Sequence, residues 1–228
     1  MRSEHILEIR FKPNPEVLDH RGAWTAAIAK EMGFNHWKII ENRIDFRPDD
    51  KTQNAFVSFR NFGITVKDQP TPNFFEDKAN KLVRKVMALN GFQSPLAVER
   101  IGVRAKTCHP LEREFSDVAD HIRDVFFKED SLDQLRGDDA VVDAAAVLYF
   151  KTELGQINAH ITVNDLVQIK RLFPNHTEHP EVSWTTDMDY FITEPKMMNA
   201  KAITKTITSF ANELNDRYTA VSSLIDLD

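Results

Sequence analysis

Two short runs carry residue types that could do chemistry. In the first, Leu96–Cys108, Arg100, Gly102, Arg104 and Lys106 alternate with Ile101, Val103 and Ala105. That period of two marks a strand with one buried face and one face bearing three cations. In the second, Asp187 and Asp189 lie two apart within Val182–Thr193, so both carboxylates share a face. Val182, Trp184, Met188, Tyr190 and Ile192 occupy the other. Paired carboxylates can do acid–base work or bind a cation. Beside two guanidinium groups they could also orient an anionic group that the arginines hold. The simpler alternative is that the two sets pair with each other across a sheet. Arg100, Arg104, Asp187 and Asp189 are therefore the candidate ligand-binding residues, and no catalytic residue is assigned.

Other motifs are weaker. His176-Thr177-Glu178-His179, with Glu181 near, offers metal-ligating groups. It lacks the helical register of a zinc hydrolase and sits between Pro174 and Pro180, so no metal is assigned. Gln53–Phe59 lies where an RNA-recognition motif carries its aromatic box. Thr52 and Gln53 replace the basic and glycine start, Asn54 replaces a stacking ring, and Glu8 stands on the first strand. RNA or DNA binding through the Phe56 face is thus a lesser reading. Cys108 and His109 are adjacent, hence on opposite faces of a strand and no catalytic pair. No phosphate-binding glycine loop or nucleophile elbow occurs, and no cofactor is expected.

Bulk properties narrow the class. The 228 residues carry a net charge of −6, with 42% hydrophobic and 28% charged residues. That is ordinary for a globular chain able to bury a core, and it disfavours broad binding to phosphates. Sixteen Phe against three Tyr and three Trp suggest aromatics used as core filling. One cysteine fits a reducing compartment. The first residues are charged rather than signal-like, and the most apolar run, Ala140–Phe150, is too short to span a bilayer. The expectation is a cytoplasmic protein without membrane contact.

The elements that must position these residues follow from punctuation and periodicity. Ile6–Phe11 reads as an opening strand, and Val17, Trp24, Ile28 and Met32 as a helix stopped by Gly33. His36–Arg47 and Asn54–Lys67 read as two strands joined by Pro48-Asp49-Asp50-Lys51, with Phe56, Ser58, Arg60, Phe62, Ile64 and Val66 on one face. Phe75, Ala79, Leu82, Val86 and Leu89 form a helical stripe before Gly91. With Leu96–Cys108 this makes a ferredoxin-like β-α-β-β-α-β order. Pro110 opens a third helix with stripe Phe115, Val118, Ile122, Val125 and Phe126, followed by an acidic loop, Asp130–Asp139, containing Gly137. Val141–Lys151 and Ile157–Ile169 form a hairpin, whose tail Leu166–Phe173 could instead be a short helix. After Val182–Thr193 a long helix runs from about Ala200 to Leu224, with stripe Ile203, Ile207, Phe210, Leu214, Tyr218 and Val221. The fold class is α+β: one compact unit, 1–228, of two strand–helix halves, 1–108 and 96–228, with mainly antiparallel sheet against helices.

The order of the LEIRF, RIGVRAK and TDMDYF strands, with a long helix after the last, resembles a sporadically distributed family of uncharacterised bacterial proteins. In it an R-hydrophobic-G-hydrophobic-R strand precedes a D-hydrophobic-D strand. The match falls on Arg100, Gly102, Arg104, Asp187 and Asp189, while Ala105 stands where an aromatic commonly follows. The resemblance implies no activity. Its patchy distribution points to accessory roles in mobile elements or host defence. Together these readings favour a non-enzymatic binding or assembly protein that meets a protein partner, or itself, through a sheet face or the C-terminal helix. A binder of small anions or nucleotide derivatives, conceivably an enzyme, using Arg100, Arg104, Asp187 and Asp189 is the alternative.

Overall fold

The computed structural model describes residues 2–92, 94–136, 139, 141–174, 176–194 and 196–225. Gly137 lies outside them. The chain runs β1 (Arg2–Phe11), α1 (Glu16–Asp19), α2 (Arg21–Met32), β2 (His36–Ile40), β3 (Arg43–Arg47), β4 (Gln53–Ser58), β5 (Asn61–Lys67) and α3 (Phe74–Met87). It continues through β6 (Leu96–Pro110), α4 (Phe115–Phe126), α5 (Glu129–Arg136), β7 (Ala145–Lys151) and β8 (Gln156–Asp165). Last come α6 (Leu166–Leu172), β9 (Val182–Ile192), β10 (Lys196–Met198) and α7 (Ala200–Ile225).

All the strands join one antiparallel sheet of order β2-β3-β4-β5-β1-β6-β9-β8-β7, with β10 beside the start of β6. The expected α+β class, with antiparallel sheet against helices, is what the chain adopts. β6 is its seam: strands before it in sequence lie on one side and those after it on the other. The ferredoxin-like order does not appear, because two expected strands are each a hairpin. His36–Arg47 turns at Glu41-Asn42, and Asn54–Lys67 turns at Phe59-Arg60. In the second turn the Ser58 hydroxyl accepts from the N–H groups of Arg60 (3.2 Å) and Asn61 (3.1 Å), replacing ladder bonds with a local turn. Reversal also splits the supposed single face: Phe62, Ile64 and Val66 are buried, and Phe56 points to the opposite side.

Helices α2, α3, α4 and α7 cover one face, and α6 packs on the other over Cys108. Leu7, Ile9, Ile101, Val103, Met188 and Tyr190 of the central strands meet α2, α3 and α7 in the main core. A second core joins α4 to β7, β8 and β9 through Val118, Ile122, Ile161 and Trp184, with Ile225 of α7. Helix α7 begins where the Asn199 side chain accepts from Ala202 N–H (2.9 Å), a side-chain N-cap. Its residues Ile203, Ile207, Phe210 and Leu214 are buried in this chain's own core. The tail after β8 is helical because Asp165 and Gln168 form a reciprocal capping box. The expected acidic loop contains helix α5.

The opposite face is largely uncovered. A bulge at Glu99 lets Val98 and Ile101 both point inward while Arg100 points out. From there Arg100, Gly102, Arg104 and Lys106 alternate along the uncovered face, flanked by Glu8 and Glu4 of β1 and by Asp187 and Asp189 of β9.

Candidate functional site

The structure brings the four candidate residues together as two ion pairs, Arg104 with the acid opposite a position two residues along β6 and Arg100 with the acid opposite a position four residues along it. Arg104 lies opposite Asp189 and Lys106 opposite Asp187. Arg104 instead takes Asp187 with both Nε (2.6 Å) and Nη2. Arg100 reaches along the strand to Asp189, donating from Nη2 to both oxygens (3.1 and 2.8 Å). Gly102 makes that reach possible, because a Cβ there would stand 2.3 Å from Arg100 Nη1. Lys106 turns to Glu4 (3.4 Å) and the Leu172 carbonyl (3.2 Å). Glu8 accepts from Arg10 (2.8 Å), Asn61 (2.8 Å) and Arg100 (3.5 Å).

This is a charge lattice in which each guanidinium already has a carboxylate. Burial pushes the Asp189 carboxyl above its usual value despite the pull of Arg100 and Arg104. Burial pushes Glu8 the same way, but its bonds to Arg10 and Asn61 outweigh that and hold it below the ordinary range. An incoming anion would have to displace Asp189 or Asp187.

The Phe56 face differs from an open stacking platform. The ring packs over Gly63, whose Cβ would lie 3.1 Å from it, and the Arg43 guanidinium lies 4.0 Å from its centroid. One face of the ring is therefore covered by Arg43. Beside it a cleft of about 590 Å³ is lined by Lys38, Arg43, Arg47, Lys51 and Lys67. Of these, Arg43 pairs with Asp45 (2.6 Å).

His176 and His179 turn apart. His176 sits between Glu4 (3.8 Å) and Asp68 (3.4 Å), and His179 Nε2 bonds the Phe173 carbonyl (3.0 Å). Among the described residues no cluster of three metal-ligating groups forms. Cys108, on the Arg104 side of β6, is buried where α6 covers it with Ile169 and, just after the helix, Phe173, and burial raises its thiol. His109, on the other face, stacks on Trp184 (3.9 Å between centroids) and bonds the Tyr218 hydroxyl (2.6 Å). Burial lowers its pKa to about 4.

Strand β7 was not singled out by chemistry-bearing residues, yet it is the more open of the two sheet edges in composition. It has no charged residue before Lys151, and among the described residues no strand pairs its outer side. Val147, Leu148 and Tyr149 are 45%, 37% and 71% exposed. The other edge, β2, also exposes Trp37, Ile39 and Ile40, but Lys38 stands at its centre, and edge lysines oppose strand addition. The signal for β7 was present in the sequence as the most apolar run of the chain. No helix among the described residues is long and apolar enough to cross a membrane. No protein-family model matches the chain, and no curated protein matches it.

Proposed function

We propose that the protein is a non-enzymatic assembly component of the cytoplasm that joins a second copy of itself through β7. The observation that carries this reading is an edge strand, uncharged as far as Lys151, whose sequence complements itself. Antiparallel pairing about a two-fold axis at Leu148 sets Leu148 against its counterpart and Ala146 against Phe150 on the helix-covered side. On the other side it sets Val147 against Tyr149 and Ala145 against Lys151. Small residues meet large ones, and no like charges oppose. Two such edges would continue the sheet without a break and remove both unpaired edges at once. The single cysteine, buried at Cys108, suits a reducing compartment. Light scattering on the eluting protein tests the reading. The wild type should give about twice 26.2 kDa, and Leu148→Lys should give the monomer mass while keeping its circular dichroism. A monomeric wild type at 100 µM-scale loading, on the order of a weak dimer's dissociation constant, would sink it.

One observation favours a second reading, single-stranded RNA or DNA at the β2–β5 end. Five basic side chains line one cleft of a chain whose net charge is −6. Labelled single strands should then bind with steep salt dependence, and Lys38→Glu with Arg47→Glu should abolish it. No retention at low salt would exclude it. A small anion at Arg100 and Arg104 is less well supported, since Asp189 and Asp187 already fill those guanidinium groups.

A further inference from the structure

We infer that the basic cleft at the β2–β5 end binds a single nucleotide, with its base stacked on Arg43 and its phosphates held by Lys38, Arg47 and Lys51. The inference deepens the strand-binding reading of this cleft and rests on it for the site's charge alone. At about 590 Å³ the cleft falls within the range of small-ligand sites. It is separate from the β7 edge and does not depend on it.

The cations here differ from those on β6. Arg100 and Arg104 are each taken by an aspartate. Lys38, Arg47 and Lys51 are exposed, and among the described residues none of them pairs with a carboxylate. The neighbouring acids are engaged elsewhere. Asp45 accepts from Arg43 Nε (2.6 Å). Asp49 accepts from Asn35 and from His36 (2.6 Å). Asp50 accepts from the N–H and hydroxyl of Thr52 (2.9 and 2.8 Å). Arg47 lies opposite His36 and Lys38 opposite Asp45, so Arg47 and Lys38 are diagonal neighbours about 7–8 Å apart on the uncovered face. Lys51 stands in the turn after β3. Long side chains at that spacing can share one phosphate or two adjacent ones.

The base has a platform. Arg43 covers one face of Phe56, its guanidinium 4.0 Å from the ring centroid. Its side chain is still 36% exposed where it lines the cleft. A guanidinium plane held this way stacks a nucleobase. Arg43 and Arg47 share a face of β3 four residues apart, a span of about 13–14 Å. With Arg43 held on Phe56 and Asp45, a lone phosphate at Arg47 does not reach it, whereas a base with its own phosphates meets both. The positive charge does not continue onto β1, where Glu8 pairs with Arg10 (2.8 Å) and Glu4 with Lys106 (3.4 Å). It is a confined cleft rather than a track across the sheet, which suits one nucleotide.

Calorimetric titration of the full chain with ADP, UDP, adenosine and pyrophosphate tests this. ADP and UDP should each bind roughly tenfold or more tightly than adenosine or pyrophosphate. Arg43→Lys keeps the charge and removes the plane, so it should weaken ADP roughly tenfold, the worth of one base stack, and leave pyrophosphate unchanged. Arg47→Gln with Lys51→Gly, where glycine suits the φ of 56° at position 51, should weaken both. Pyrophosphate binding as tight as that of ADP, or ADP binding untouched by Arg43→Lys, would overturn the assignment. A labelled oligonucleotide separates the two readings of the cleft. A strand bound where ADP and UDP are not overturns the single-nucleotide inference and leaves the strand reading standing, and binding of neither removes both.

Discussion

Gly102→Ala weighs the Arg100–Asp189 pair through a residue that bonds to neither. A Cβ at position 102 would lie 2.3 to 2.7 Å from three guanidinium atoms of Arg100. These are the far end of a flexible side chain, so the backbone can stay while the guanidinium leaves. Leaving forfeits the two bonds to Asp189. Bonds to charged groups contribute about 1.5–3 kcal/mol when shielded. Here the side chains are 18% and 28% exposed, and solvent screening brings the pair down to roughly 1–2 kcal/mol. Against this, alanine within a strand is favoured over glycine by about 0.5–1 kcal/mol. The net expectation is a loss of about 0.5–1 kcal/mol in the wild-type background. In an Arg100→Met background the same substitution should stabilise by about 0.5 kcal/mol, because no guanidinium crosses the glycine. Urea unfolding of the four proteins in the cycle measures the change of sign. Equal destabilisation in both backgrounds would show that Gly102 serves the backbone and not Arg100, and the account of the lattice would fail.

The pair also makes a pH prediction. Burial holds the Asp189 carboxyl above its usual 3.8. A raised acid adds stability at low pH and loses it as pH rises through its folded value. Arg100→Met should therefore be most destabilising at neutral pH, and its deficit should narrow on acidification. His5 has the opposite sign. Its pKa falls from 6.5 to about 4, so it contributes stability above pH 6.5 that is lost as pH falls toward 4, on the order of 3 kcal/mol. His5→Gln should flatten the urea midpoint between pH 7 and 4.5. Gly63→Ala places a Cβ 2.1 Å from the Leu7 carbonyl oxygen. Backbone cannot yield as a guanidinium can, so a loss of about 3 kcal/mol or failure to fold is expected. Phe210, fully buried and stacked on Tyr190 at 3.8 Å, should lose about 3–5 kcal/mol as alanine.

Much of the fold could be read from periodicity where one face of an element is buried. β6, β9, α3 and α7 each carry an unbroken stripe, and the charged side of β6 was assigned residue by residue. The hairpins within 36–47 and 54–67 escaped notice because Glu41-Asn42 and Phe59-Arg60 contain neither glycine nor proline. Apolar residues also resume at Ile44 and Phe62, two residues past each turn. Helix α6 had a signal in Asp165-x-x-Gln168, a capping box placed after a strand. The candidate residues were found by charge and parity, but their mutual pairing depends on register, which sequence alone leaves open. The cavity between α7 and the helix-covered side of β1, β6 and β9 has no sequence signature. It arises where α7 crosses from one core to the other, and two of its lining residues, His5 and Ala105, lie on different strands 100 residues apart in the chain. The β7 edge was visible as an apolar run and misleading only in that apolar runs usually signal burial.

Disulfide trapping tests the assembly reading most directly. Cys108 is buried, so cysteines introduced one at a time report their own neighbours. The two-fold register sets residue 148 against itself, at the short Cα separation a disulfide needs. Under mild oxidation Leu148→Cys should form a covalent dimer quickly and nearly completely, while Trp37→Cys on the opposite edge should stay monomeric. Equal, slow cross-linking of both variants, or none of either, would contradict the account.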